Sequence, residues 1–107
     1  MDTAFKALAE PRRREILRLV WSEELPAAQI AAQFADVTRS AVSQHLAVLR
    51  QAELVTERRD GTRRLYRADH DQMDRLRRFL DEYWTGSLHR LQHLAESAER
   101  AKGTTRG

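Results

Sequence analysis

Cysteine is missing from all 107 residues, which excludes disulfides, thiolate metal centres and thiol redox sensing. Long apolar runs are missing too. The longest extend for a few residues, far short of the roughly 18 that a membrane helix needs. No secretory leader is legible, so residence in the cytoplasm is the expectation. Glycine occurs only four times and never in a loop built to cradle phosphate. No nucleophile, base and orienting group are recognisably assembled, so the chain is not expected to be an enzyme or to carry a cofactor.

What remains is a charged, helix-prone chain. Hydrophobic residues make up 41% and charged residues 33%, proportions of a folded domain rather than a disordered one. The length fits a single domain with a small core, for which dimerisation is a natural way to cover more surface. The net charge is only +3, but it is unevenly placed. Seven arginines between Arg39 and Arg67 face Glu53, Glu57 and Asp60, a local net of +4. From Asp69 to Glu82, five acids face three arginines, a local net of −2. The positive end is thus the middle of the chain, and it calls for an anionic partner.

The apolar spacing predicts mainly helices. Asp2 suits the N-cap of a first helix carrying Phe5 and Leu8, which Glu10-Pro11 ends. Pro11 opens a second helix burying Ile16, Leu17, Leu19 and Val20, with Trp21 at its end. Pro26 is read as the start of a third, with Ile30, Ala31 and Phe34 inward. Ala35-Asp36-Val37 forms a turn, and Thr38 caps a fourth helix over 38–51. Val37 and Val42 flank that cap as a hydrophobic staple. The third and fourth helices with their short turn make a helix-turn-helix.

On the fourth helix Val42, Leu46 and Leu49 share one face. The other carries Ser40, Ser43, Gln44 and Ala47, too polar for a core and too poor in charge for a merely solubilising surface. Such side chains suit close approach to base edges in a DNA major groove. Read as an ordinary polar helix face they would say nothing; the cap, the staple and the hairpin that follows favour base contact. His45 borders Leu46 and Leu49, so it either donates to a phosphate or packs at the edge of the core.

Residues 54–68 read as a hairpin around Asp60-Gly61, the type I′ signal. A loop formed by those two residues places Arg59 opposite Thr62, Arg58 opposite Arg63 and Glu57 opposite Arg64. Arg58, Arg59, Arg63 and Arg64 crowd its tip, which suits phosphate or minor-groove contact better than a solvated charge run. Arg12, Arg13 and Arg14 lie in the first turn of a helix, where the macrodipole disfavours cations. That local cost suggests a partner, either a carboxylate elsewhere in the dimer or a phosphate, and the structural partner is the favoured reading.

Residues 71–101 form a helical region with an apolar stripe through Met73, Leu76, Phe79, Leu80, Tyr83, Trp84, Leu88, Leu91, Ala95 and Ala98. Thr85-Gly86-Ser87 is expected to kink or divide it. The stripe is too long for so small a domain to cover, so part of it should meet a second subunit. Residues 102–107 read as a flexible tail. His89 and His93 have the i, i+4 spacing that can chelate zinc, with Glu96 a turn later. The simpler reading is a helix surface or dimer rim, so no metal site is expected.

Three motifs in order carry a resemblance: Phe5 to Leu17, then Ala41 to Leu46 with Leu49-Arg50, then Leu54-Val55 through Asp60-Gly61 to Leu65-Tyr66. The chain over about residues 3–98 resembles the ArsR-type winged helix-turn-helix transcriptional repressors. The resemblance implies a homodimer joined through its N- and C-terminal helices. Phe5, Leu8, Phe79, Tyr83, Trp84, Leu88, Leu91 and Ala95 would lie at that interface. It makes 38–51 the recognition helix and 54–68 the wing within a domain spanning 1–101. The DNA-contacting set would be Thr38, Arg39, Ser40, Ser43, Gln44, His45, Arg58, Arg59, Arg63 and Arg64.

The partner implied is a double-stranded, pseudo-palindromic operator, with the chain's own promoter one candidate. In the metal-sensing branch two cysteines precede the recognition helix; here Pro26 and Ala28 stand at those positions. The site known on the last helix needs an Asp and a His two apart, whereas Asp81 is followed by Tyr83. The chain therefore looks like the cysteine-free members with an aromatic-rich last helix. Two alternatives stay open: a metal-responsive repressor sensing through His89 and His93, and a winged-helix module that binds protein instead of DNA.

Overall fold

The computed structural model describes residues 1–105. Its elements are α1 (Asp2–Ala9), α2 (Pro11–Leu19), β1 (Leu25–Pro26), α3 (Ala27–Ala32), α4 (Arg39–Gln51), β2 (Val55–Asp60), β3 (Arg63–Ala68) and α5 (His70–Thr105). The chain is mainly α with a small antiparallel sheet, and it falls into two units, Met1–Leu76 and the chain from Arg77 onward.

In the first unit the core is built from Ile16, Val20, Ile30, Val42, Leu46, Leu49 and Leu54, all buried almost completely. Each such side chain contributes about 1.5–3 kcal/mol by leaving water. Met73 and Leu76, from the first turns of α5, pack against the same core. Asp2 lies inside α1 and Met1 takes the cap position without a side-chain bond, so Asp2 is not the cap expected of it. Its carboxylate still sits in the first turn, where the macrodipole favours an acid. Pro11 takes the first position of α2, and Glu10 caps it by accepting from the Arg12 amide at 3.1 Å. Trp21 lies just beyond α2 with its ring stacked on His70 at 4.6 Å.

Pro26 does not start a helix. It closes the two-residue strand β1, which pairs Leu25 with Tyr66 and Pro26 with Leu65, and it then serves as the N-cap of α3. Strand order is β1-β3-β2, so proline occupies an edge, where its missing N–H costs no ladder bond.

The hairpin turns one residue later than the Asp-Gly signal suggested. Asp60 pairs with Arg63, leaving Gly61-Thr62 as the loop. Gly61 has φ 64° and Glu53 is the one non-glycine with positive φ among the described residues, so Thr62 stays at negative φ. That is the type II′ pattern, not I′. Pairing shifts by two residues, which preserves each side chain's face. It seats Val55 beside Ala68, both buried, and puts Arg59 opposite Arg64, Arg58 opposite Leu65 and Glu57 opposite Tyr66. Burial of Val55 and Ala68 and the second pairing of β3 to β1 outweigh the local preference of Asp60 for the loop.

The described residues of the second unit are helix alone. α5 runs unbroken through Thr85-Gly86-Ser87, so the expected kink or division is absent. One glycine costs roughly 1 kcal/mol inside a helix, too little to break one this long without proline. Tyr83, Trp84, Leu88 and Leu91 are exposed, at 60%, 65%, 52% and 62%. Phe79, Leu80 and Leu94 are exposed as well. The helical backbone continues past the expected end at Ala101 to Thr105; residues 106 and 107 of the expected tail lie outside the described residues.

Candidate nucleic-acid interface

The fourth helix is fixed at both ends by its own sequence. The Thr38 hydroxyl accepts from the Ala41 amide at 3.0 Å, satisfying one of the orphan donors of the first turn. At the other end Glu53 adopts φ 61°, its amide bonding Arg50 O at 2.9 Å while the Leu54 amide bonds Leu49 O at 3.0 Å. This is a Schellman closure with glutamate where glycine is usual, and it directs the chain straight into β2.

Between these caps the inward face, Val42, Leu46 and Leu49, is buried. Thr38, Arg39, Ser40, Ser43, Gln44 and Ala47 are exposed. Among the described residues no side-chain hydrogen bond occupies Ser40, Ser43 or Gln44, and Arg39 has no anionic partner. Donors and acceptors on this face are therefore available to a ligand. His45 is different: half-buried, it accepts from Arg13 Nε through Nδ1 at 3.3 Å. It is tied to α2, which leaves Nε2 as the nitrogen that can carry a proton outward.

The wing arginines divide by partner. Arg58 grips Glu24 with Nη2 at 2.5 Å and Nε at 3.1 Å, joining β2 to the segment before β1. Those bonds hold the Glu24 carboxyl below its ordinary range and push Arg58 up, Glu24 being the first cause for Arg58 and Arg58 for Glu24. Arg64 lies 3.5 Å from Glu57, and Arg50, in the last turn of α4, donates to the same carboxylate. Arg63 reaches Asp60 at 3.4 Å across the turn. Arg59 is exposed and, among the described residues, has no partner. Solvent screens exposed pairs of this kind, so their role is in orienting charge more than in stability.

The basic cluster at the start of α2 is structural. Arg12 bonds Asp36 at 2.7 Å and Glu15 at 3.2 Å, with its guanidinium 5.1 Å from the Phe34 ring centre. Asp36 is the first cause of its raised pKa. Arg13 donates to the carbonyls of Lys6 and Ala7, and Arg14 to those of Leu8 and Ala9. These are the last carbonyls of α1, which lack helical partners and carry the negative end of its dipole. The three cations thus offset their poor place in α2 with structural partners, but only Arg12 has the expected carboxylate; Arg13 and Arg14 bond backbone carbonyls instead.

Phe5 and Leu8 are half-buried against their own core, whereas Phe79, Tyr83, Trp84, Leu88, Leu91 and Ala95 are exposed on α5. Leu94 belongs with the exposed stripe; its i+3 step from Leu91 is legible in the sequence but is masked there by the neighbouring Ala95. His89 and His93 are exposed, and among the described residues no three His, Asp or Glu side chains gather to hold a metal. Glu96 accepts from Gln92 at 3.4 Å. The sequence placed Glu57 opposite Arg64, but it hid Glu24, paired with Arg58 across 34 residues, and the reach of Arg50 from α4 to Glu57.

With this geometry in view, a helix-turn-helix domain family matches residues 8–58. The chain is 41% identical over 96 residues to the HTH-type transcriptional regulator Rv2034 of Mycobacterium tuberculosis, covering 90% of this chain and 89% of that one. It is 33% identical over 81 residues to the arsenical resistance operon repressor of Staphylococcus xylosus, covering 76% and 77%. An ArsR-like transcriptional regulator from Rhodococcus sp. RHA1 superposes with a TM-score of 0.77 at 27% identity, over 87% of each chain. A possible transcriptional regulator for arsenical resistance superposes at 0.70 with 43% identity, over 82% of this chain and 91% of the other.

Proposed function

Because the chain belongs to the ArsR-type winged helix-turn-helix family of DNA-binding transcriptional regulators, we propose that it represses transcription as a homodimer seated on a pseudo-palindromic operator. The observation that carries this reading is the exposed, hydrogen-bond-free face of α4. Ser40, Ser43 and Gln44 read base edges there, Gln44 by the bidentate pattern that glutamine forms with adenine. Thr38 and Arg39 at the helix start, and His45 through Nε2, meet phosphate. Arg59 and Arg63 at the wing tip hold the flanking backbone, which positions the recognition helix without reading sequence.

Dimerisation is supported by the exposed stripe of α5. Leu80, Tyr83, Trp84, Leu88, Leu91 and Leu94, all exposed on α5, form a surface that water disfavours, and a second copy presents the same stripe by symmetry. Two-fold symmetry then requires inverted half-sites about one helical turn apart, or a multiple of it. These 107 residues contain no cysteine, so a thiolate site for a metalloid cannot form within them.

The test is binding of the purified protein to the DNA upstream of its own coding sequence, against a scrambled duplex of equal length, across a salt series. Preference for one upstream segment, with affinity falling steeply as salt rises, is the expected result. Equal binding to both duplexes at moderate salt would contradict a sequence-reading role and favour a protein-binding one.

A further inference from the structure

The hollow between α4 and the wing holds an acid where a DNA-facing surface should repel one. Glu57, on β2, shares this hollow with Ser43 and Ala47 of the exposed helix face and with Arg50, Arg64 and Tyr66. Its side chain is only 15% exposed, while those of Arg50 and Arg64 are 55% and 53% exposed. The register explains the placement: Glu57 pairs with Tyr66, so Arg64, two residues earlier on β3, is its diagonal neighbour on the same face. Arg50 arrives from the last turn of α4 and donates to the other carboxylate oxygen. One shielded carboxylate therefore holds two half-exposed guanidinium groups, one on the recognition helix and one on the wing.

We infer that Glu57 is a specificity-determining positioning residue, which ties the wing to the recognition helix and withholds Arg50 and Arg64 from indiscriminate phosphate binding. The inference rests on the reading of α4 and the wing as the DNA-contacting surface. With both guanidinium groups engaged by Glu57, neither is free to neutralise a phosphate. Random DNA is bound through phosphate alone, so it loses most from this restraint. An operator, held also by base contacts, loses less. The carboxylate thus widens the gap between the two.

Each phosphate neutralised adds about 0.9 to the slope of log affinity against log salt. Replacing Glu57 with glutamine keeps the size but frees up to two arginines. The slope on a random 30-base-pair duplex should steepen by about one to two per protomer, and at about 0.1 M salt affinity should rise about tenfold for each additional phosphate neutralised. The measurement is fluorescence anisotropy over a salt series with wild type, Glu57→Gln, Arg64→Gln, Arg59→Gln and the Glu57→Gln/Arg64→Gln pair. Arg64→Gln alone should barely change the slope, because that charge is already engaged, whereas Arg59→Gln should flatten it by about one. The double variant should be about one shallower than Glu57→Gln alone.

An unchanged slope in Glu57→Gln, or an Arg64→Gln slope as flat as that of Arg59→Gln, overturns the inference. If Glu57→Gln gives no cooperative melt, the contrast between Arg64→Gln and Arg59→Gln decides alone. Wild-type protein that binds no duplex overturns the DNA reading and the tether together. Wild type that binds while the variants fail these contrasts overturns the tether only.

Discussion

Replacing Leu91 with alanine should weaken self-association by about two orders of magnitude while leaving the Met1–Leu76 unit as stable as before. Leu91 is 62% exposed on α5, so most of its surface is available to a partner. The substitution removes three carbons, each worth about 0.8 kcal/mol when buried. Scaled to the exposed fraction, that is about 1.5 kcal/mol per protomer. A symmetric interface contains the residue twice, which gives about 3 kcal/mol per dimer. At 1.4 kcal/mol per tenfold change, the dissociation constant should rise on the order of 100-fold. Sedimentation equilibrium over a wide concentration range measures it directly. The thermal transition followed by circular dichroism should be compared under conditions where both proteins are monomeric, and the two transitions should coincide. A dissociation constant within threefold of wild type would refute the assignment of this stripe to the dimer.

Three other expectations follow from named interactions. Gln44→Ala should cost about 1–3 kcal/mol on the operator and little on random DNA, as anisotropy would show; an equal loss on both would remove Gln44 from base reading. Glu53→Gly should raise stability by up to about 1 kcal/mol, since φ 61° strains any residue with a Cβ; a lower denaturation midpoint in urea would contradict the closure described. Glu24→Gln should flatten the acid limb of the stability curve. The Glu24 carboxyl is depressed by Arg58, so its contribution is present above the ordinary value of 4.5 and is lost as pH falls through the lower folded value. Identical pH profiles for variant and wild type would rule that coupling out.

Much of the fold is legible because its determinants are local. Thr38 caps α4 through a bond three residues away, Pro11 sits where a missing N–H costs nothing, and the apolar face of α4 repeats at helical spacing. What the sequence concealed is settled at long range. β1 is two residues long and owes its existence to Tyr66 and Leu65, some forty positions later. The Asp60-Gly61 pair admits two turn frames, and the seating of Val55 beside Ala68, with the pairing of β3 to β1, chooses between them. Gly86 suggests a break when propensity is weighed at one residue rather than over a whole helix. At the site, the small polar face was visible as composition. The Glu57–Arg64 pair was visible from the hairpin, but the capture of Arg58 by Glu24 was not, because charge pairing across 34 residues leaves no periodic trace.

The most direct test is selection of bound sequences from a random duplex pool by the wild-type protein at about 0.15 M salt. The account predicts enrichment of one inverted repeat whose half-sites are centred about one helical turn apart, or a multiple of it. Recovery of a pool with no enriched repeat, or of a single unrepeated half-site, would contradict it.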